Sequence, residues 1–220
     1  MRDSFPALAT AVAGTGPGLL LAHGATGSVE GNFGPVLPAL SAAHTVVAPD
    51  YPGSGGTPAV TAPLDLDELT DAVVDSAVRR GVGRFAVVGF SLGTLVAVRA
   101  AVRHPERVTA LVLTAGFARP DDHLLGLLPG WRADVPPALH PQIDLAAGLD
   151  ITGDLAEVAA PTLVVATTAD SLVLPAGSRA LAAGIRGAQY TEIDSDHVVM
   201  VERPQEWLKP VLDFLHGERR

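Results

Sequence analysis

The segment of this chain best equipped for chemistry is Gly89-Phe90-Ser91-Leu92-Gly93. A run of strand formers, Phe85-Ala86-Val87-Val88, leads in, and a stretch of good helix formers (Leu92, Leu95, Ala97, Arg99, Ala100, Ala101) leads out. A serine on so sharp a strand-to-helix turn sits in strained backbone, with strand and helix pressed together. Side chains two positions before and after it would collide, so glycine is wanted at 89 and 93. The turn lifts the hydroxyl above the carboxyl ends of the strands, where open α/β sheets place ligands. It also aims the Leu92 N–H, at the helix start, toward a developing oxyanion.

A serine hydroxyl is a weak nucleophile and needs an imidazole base. Of the seven histidines, His44, His104, His123, His140 and His216 read as solvated surface or loop residues. His23 precedes the serine and sits in a His-Gly turn. His197 follows the last strand, in Ile193-Asp194-Ser195-Asp196-His197, and the chain order serine, acid, histidine calls for a late imidazole. Its bland alternative is a hydrogen-bonded loop histidine. The acid should end a core strand between the two. Asp170, closing Thr162-Leu163-Val164-Val165-Ala166-Thr167-Thr168-Ala169, meets that demand, and a buried carboxylate there would fix the imidazole tautomer and stabilise its charged form. Asp194 and Asp196 are rivals that need a tight loop to reach the ring. Asp150 and Asp154 read as polar residues ahead of the strand.

The elements that must position these groups alternate between apolar runs of strand length and amphipathic helical stretches. That rhythm predicts an α/β fold with a mostly parallel sheet covered on both faces. Strands are expected at Gly18 to Ala22, Thr45 to Ala48, Phe85 to Val88, Val108 to Thr114, Thr162 to Ala166 and Tyr190 to Ile193. Leu66 to Arg80 is the clearest helix, with Asp65 or Asp67 as cap, an apolar stripe of Leu66, Leu69, Val73, Val74 and Ala77, and a stop at Gly81. Further helices are expected over Phe33 to Ala43, from the serine to His104, and over Glu206 to Leu215. Residues 117–149 break the rhythm with five prolines, Trp131 and Leu124-Leu125-Gly126-Leu127-Leu128. They read as a small excursion on top of the sheet within one domain spanning 1–220.

The chain has 220 residues, 48% of them hydrophobic and 18% charged, enough for a large core. Its net charge of −9 repels phosphate backbones and anionic lipid, so neither nucleic acid nor a membrane surface is an expected partner. Having no cysteine, it has neither disulfides nor thiolate chemistry. No H-E-x-x-H, G-K-[ST] or dinucleotide fingerprint occurs, so no cofactor or metal is expected. No apolar run reaches bilayer length. Ala11-Val12-Ala13 has the look of a signal-peptidase site, but Asp3 beside Arg2, and Pro6, make a poor leader; a cytoplasmic location is expected.

Taken with the serine turn, several further stretches resemble the α/β-hydrolase family over nearly the whole chain. They are Gly14-Thr15-Gly16-Pro17 leading into Leu20-Leu21-Ala22-His23-Gly24, the turn Asp50-Tyr51-Pro52-Gly53-Ser54-Gly55, and His104-Pro105-Glu106-Arg107-Val108. Pro161 to Val165 with Asp170 and Pro175, and His197 followed by Glu202-Arg203-Pro204-Gln205-Glu206-Trp207, complete the set. The resemblance implies a sheet of about seven strands, a second oxyanion donor in the backbone N–H of Ala25, and structural roles for His23 and Asp50. Departures are Asp196 where the family often has glycine before its histidine, Thr94 in place of a second small residue, a start too short for two full leading strands, and a reduced cap at 117–149. A short cap implies an open nucleophile.

Candidate substrate walls are Phe33, Phe90, Leu124, Leu125, Leu127, Leu128, Trp131 and Val198, each of which can equally be ordinary packing. The leading expectation is a serine hydrolase that cleaves an ester, thioester or lactone through an acyl-Ser91 intermediate, on a small-molecule or carrier-bound acyl substrate. The alternatives are a lyase, cyclase or C–C bond hydrolase that uses the same groups on a natural-product-like substrate, and a non-catalytic ligand-binding protein.

Overall fold

The computed structural model describes residues 7–217; Arg2, Asp3 and Pro6, on which the leader argument rests, lie outside them. Seven strands form one sheet: β1 (Thr10–Ala13), β2 (Gly18–Ala22), β3 (Thr45–Pro49), β4 (Phe85–Phe90), β5 (Val108–Thr114), β6 (Thr162–Thr167) and β7 (Gln189–Ile193). Their order is β1-β3-β2-β4-β5-β6-β7. Only β1 runs antiparallel, along β3, and the other pairings are parallel. The connection leaving β2 runs to β3 on one side and that leaving β4 to β5 on the other. The carboxyl ends of β2 and β4 therefore flank a crevice where the strand order reverses, the usual ligand position in such sheets.

Strand side chains alternate strictly between two apolar layers, as the pleat requires. Leu20, Val87, Leu111, Leu113 and Val164 face one layer, shared with α3 (Leu66–Val78), α4 (Leu92–Arg103) and α7 (Pro175–Gly184). Leu19, Leu21, Val88, Val112 and Val165 face the other, shared with α1 (Val29–Phe33), α2 (Leu37–Ser41), α8 (Val199–Glu202) and α9 (Pro204–Gly217). The expected stripe of α3 is wholly buried, and Asp65 caps it by accepting from the Asp67 and Glu68 N–H groups. Trp207 of α9 is fully buried, and its indole N–H donates to Thr114 Oγ1 at 3.0 Å.

The structure departs from the sequence reading in three places. Of the helix expected over Phe33 to Ala43, only α2 (Leu37–Ser41) lies inside that range; α1 precedes it and ends at Phe33, with the Gly34 N–H still bonded to Glu30 O and Pro35 having no N–H to extend the ladder. Residues 117–149 hold α5 (Asp122–Asp134), a 3-10 turn (Pro137–Leu139) and α6 (His140–Gly148), so the prolines sit within and between helices without abolishing them. His44 is buried, with Nδ1–H donating to Leu40 O at 3.1 Å.

His23 is buried at the end of β2. Its Nδ1–H donates to Gly24 O at 2.7 Å, the Tyr51 N–H donates to its Nε2 at 2.9 Å, and its ring stacks on Tyr51 at 3.8 Å. Both nitrogens are thus committed in the neutral tautomer. Burial lowers the pKa from 6.5 to about 4, against the opposing pull of the Gly24 carbonyl and the Asp50 charge.

Two predictions follow from this packing. Trp207→Ala removes a fully buried indole and is expected to cost about 3–5 kcal/mol in urea unfolding; a loss under 1 kcal/mol would contradict the packing described. As pH falls, the unfolded chain protonates His23 before the folded one does. Stability is therefore whole above about 6.5 and declines toward about 4, by about 3 kcal/mol in all. In His23→Gln, unfolding measured at pH 7.5 and 4.5 should show a smaller loss than wild type; equal losses would mean that His23 titrates normally.

Candidate active site

Ser91 occupies the turn between β4 and α4 with φ 51° and ψ −120°, a conformation that a non-glycine residue keeps only when its surroundings hold it. Those surroundings are tight. A Cβ on Gly89 would strike the Gly93 carbonyl, and one on Gly93 would strike the carbonyls of Ala22 and His23. The Ser91 N–H donates to Thr114 O at 3.0 Å, and the Thr94 hydroxyl donates to Ser91 O at 2.7 Å. The threonine that departs from the family pattern is thus a fastener for the strained peptide. The loop leaving β2 presses on the same turn: a Cβ on Gly24 would come within 2.9 Å of the Phe90 ring and 3.2 Å of Ser91 Cβ.

The acid comes from the turn after β6. Asp170 has no exposed side-chain surface, and four donors meet its carboxylate. Thr167 Oγ1 and His197 Nδ1–H reach Oδ2 at 2.8 and 2.7 Å, while the Leu172 and Val173 N–H groups reach Oδ1 at 2.9 and 2.8 Å. The rivals are engaged elsewhere. Asp194 accepts from Thr168 Oγ1, and Asp196 accepts from the Ser171 N–H, Ser171 Oγ and its neighbour's His197 N–H. Those bonds, the Ser171 N–H foremost, hold the Asp196 carboxyl below the usual range against the opposing effect of burial. Asp196 thereby ties the histidine loop to the acid loop. Glu202 holds that loop from the other side, accepting from Ser195 Oγ and the Asp196 N–H.

With Nδ1 turned to Asp170, the imidazole packs on Phe90, the residue before Ser91, at a ring separation of 4.8 Å. Among the described residues no hydrogen bond joins the Ser91 hydroxyl to His197, and Nε2 has no other partner. Such contacts are commonly long before substrate arrives and tighten with it. Ala25 and Leu92 border the same cavity as Ser91, and no hydrogen bond engages either N–H among the described residues.

That cavity measures only about 10 Å³ and is walled by Phe117, Leu124, Leu128, Trp131, Ala146, Leu172 and Val173. It holds no more than about one water, so little of the room that a short cap implies is present beside Ser91. Of the expected walls, Leu124, Leu128 and Trp131 are present. Phe33, Phe90 and Val198 belong to the opposite apolar layer, because alternate strand positions and α1 face away from α5 and α6. Leu125 and Leu127 are 40% exposed on the outer side of α5. Leu172 and Val173 were findable, since they directly follow the acid. Phe117 and Ala146 carried no local signal. A larger groove of about 450 Å³ lies beyond α6, between Leu64, Asp65, Arg99 and Leu149, and shares no residue with the Ser91 cavity.

Residues 17–145 match the family model described as alpha/beta hydrolase fold. A pyrrolizixenacetamide deacetylase from Xenorhabdus hominickii is 30% identical over 247 positions, covering 93% of each chain. A pimeloyl-[acyl-carrier protein] methyl ester esterase from Neisseria meningitidis is 39% identical over 102 positions, or 45% of this chain and 36% of that one. The crystal structure of the enol-lactonase from Burkholderia xenovorans shares the fold, with a TM-score of 0.81 at 24% identity over 95% of this chain and 96% of that one. Matched by the family model over more than half its length, and by a relative across nearly all of it, this chain belongs to the α/β-hydrolase family and is an ester-hydrolase-like enzyme.

Proposed function

We propose that the protein is a serine hydrolase that cleaves esters or thioesters of short acyl groups through an acyl-Ser91 intermediate. The observation that carries this reading is the buried Asp170–His197 pair, 2.7 Å apart, beside a serine held in strained backbone. Ser91 Oγ attacks the acyl carbon as its proton passes to His197 Nε2. The carbonyl electrons move onto oxygen, where the Ala25 and Leu92 N–H groups receive the charge. Collapse expels the leaving alkoxide or thiolate, which takes the proton from His197. Water then attacks the acyl-enzyme, with His197 again as base, and releases acid and free Ser91. Asp170 holds the ring in the tautomer that leaves Nε2 basic and stabilises its charge in each half-reaction.

The narrow apolar cavity supports a preference for short acyl chains, which displace little of its wall. The relatives' names, a deacetylase and a methyl ester esterase of a carrier-bound acyl group, agree with acyl cleavage. The reading covers small-molecule and carrier-bound acyl groups alike. It takes residues 117–149 as a cap on a single domain.

With p-nitrophenyl esters, kcat/KM is expected to fall from acetate to octanoate. Ser91→Ala and Asp170→Asn should each lower kcat by about 10⁴-fold, with Ser91→Ala also abolishing fluorophosphonate labelling. Ester turnover that survives in Ser91→Ala would overturn the mechanism. Asp196→Ala frees the histidine loop from Ser171 and should lower kcat about tenfold at similar KM. Asp196→Asn keeps the accepting Oδ1 and should recover most of that loss; no loss in Asp196→Ala would show that Glu202 alone holds the loop.

A further inference from the structure

Gln142, on α6, is fully buried although it belongs to a surface helix between β5 and β6. Its amide is spent on two distant loops. Oε1 accepts from the Thr26 N–H at 2.8 Å, and Nε2 donates to Pro52 O and Ser54 Oγ, both at 2.9 Å. Thr26 directly follows Ala25, and its φ of 59° is one that threonine rarely adopts unaided. On the other side of Ala25, the Gly24 N–H donates to Asn32 Oδ1 at 3.0 Å. The peptides on either side of the one carrying the Ala25 N–H are thus each held by a buried side-chain amide, while that peptide's own carbonyl, Gly24 O, accepts from His23 Nδ1–H and the Gly27 N–H.

We infer that Gln142 is a positioning residue for the oxyanion loop, fixing through Thr26 the direction in which the Ala25 N–H points. The inference rests on the acyl-serine reading above, in which that N–H receives charge. Ala146, one turn along α6, lines the cavity at Ser91. One helix therefore both walls the acyl site and holds an oxyanion donor in place, so an acyl group pressing on α6 meets the element that sets the donor's direction. A donor that matters only in the transition state changes kcat and kcat/KM together and leaves KM alone.

The test compares wild type, Gln142→Met and Gln142→Glu on p-nitrophenyl acetate, well below their melting temperatures, with Ser91→Ala alongside. Methionine fills the space but accepts nothing useful from Thr26. The expected result is a fall in kcat of about 10- to 100-fold at a KM within about threefold of wild type. A buried, protonated glutamic acid reproduces the oxygen facing Thr26 and one of the two donated bonds, so Gln142→Glu should recover at least tenfold of that loss. If Gln142→Met does not fold, a kcat for Gln142→Glu within tenfold of wild type supports the role. A kcat as low in Gln142→Glu as the lower end expected for methionine overturns it. A lowered melting temperature with unchanged kcat in Gln142→Met makes the residue structural only. Activity retained in Ser91→Ala defeats the acyl-serine reading itself, whereas an inactive Ser91→Ala beside a fully active Gln142→Met defeats the positioning role alone.

Discussion

A carboxylate with no solvent-exposed surface is the constraint around which the site is arranged. Removing a charge from water costs several kcal/mol unless donors replace the lost hydration. At Asp170 four donors do so, two backbone N–H groups on one oxygen and Thr167 with His197 on the other. Three of the four come from within three residues of the aspartate, so the turn after β6 folds around the charge it must satisfy. Only the imidazole arrives from afar. The long-range bond is thus the one that can be lost without leaving the carboxylate bare, which is why the histidine loop carries its own ties through Asp196 and Glu202.

The serine side of the site is held by sterics instead. Gly89 and Gly93 let β4, α4 and the end of β2 approach until their carbonyls leave no room for a Cβ. The Thr94 hydroxyl then stabilises the strained Ser91 peptide. Strain at Ser91 is sustained because β4 is buried along its whole length and β2 from Leu19 onward, so neither can yield. One half of the site is therefore positioned by electrostatics and the other by packing. They meet where the His197 ring lies on Phe90.

How much of this could be read from the letters follows from where each signal lives. The strands of the central sheet are buried on both faces and appear as continuous apolar runs, so their positions were legible to within a residue or two. The Ser91 turn was legible because its steric demand is local, two glycines at fixed offsets. Asp170 and His197 were legible through their places after strands. The walls of the cavity were not. Phe117 and Ala146 become neighbours only through the path of the chain between β5 and β6, and Phe33 on α1 and Phe90 on β4 pack in the opposite layer, which hydrophobicity alone does not announce. Gln142 was the least visible of all. Its partners lie 116, 90 and 88 positions away, and a glutamine in a polar, proline-rich stretch looks like surface.

The energetics of residues 117–149 follow from the same contacts. α6 is tied to the body by the three bonds of the buried Gln142 side chain. α5 is held by Leu124, Leu128 and Trp131 against the core, by His123 Nε2 on Ser171 O, and by the exposed Arg132–Asp144 pair to α6. An exposed ion pair contributes little, so the apolar contacts dominate. Baring about 100 Å² of such surface costs about 2.5 kcal/mol, whereas leaving the Gln142 partners unpaired in the interior costs about 1–3 kcal/mol for each group. The loop carrying Ala25 therefore depends on α6 through bonds that cannot be broken without leaving polar groups bare, whereas α5 depends on the apolar surface that also walls the cavity beside Ser91.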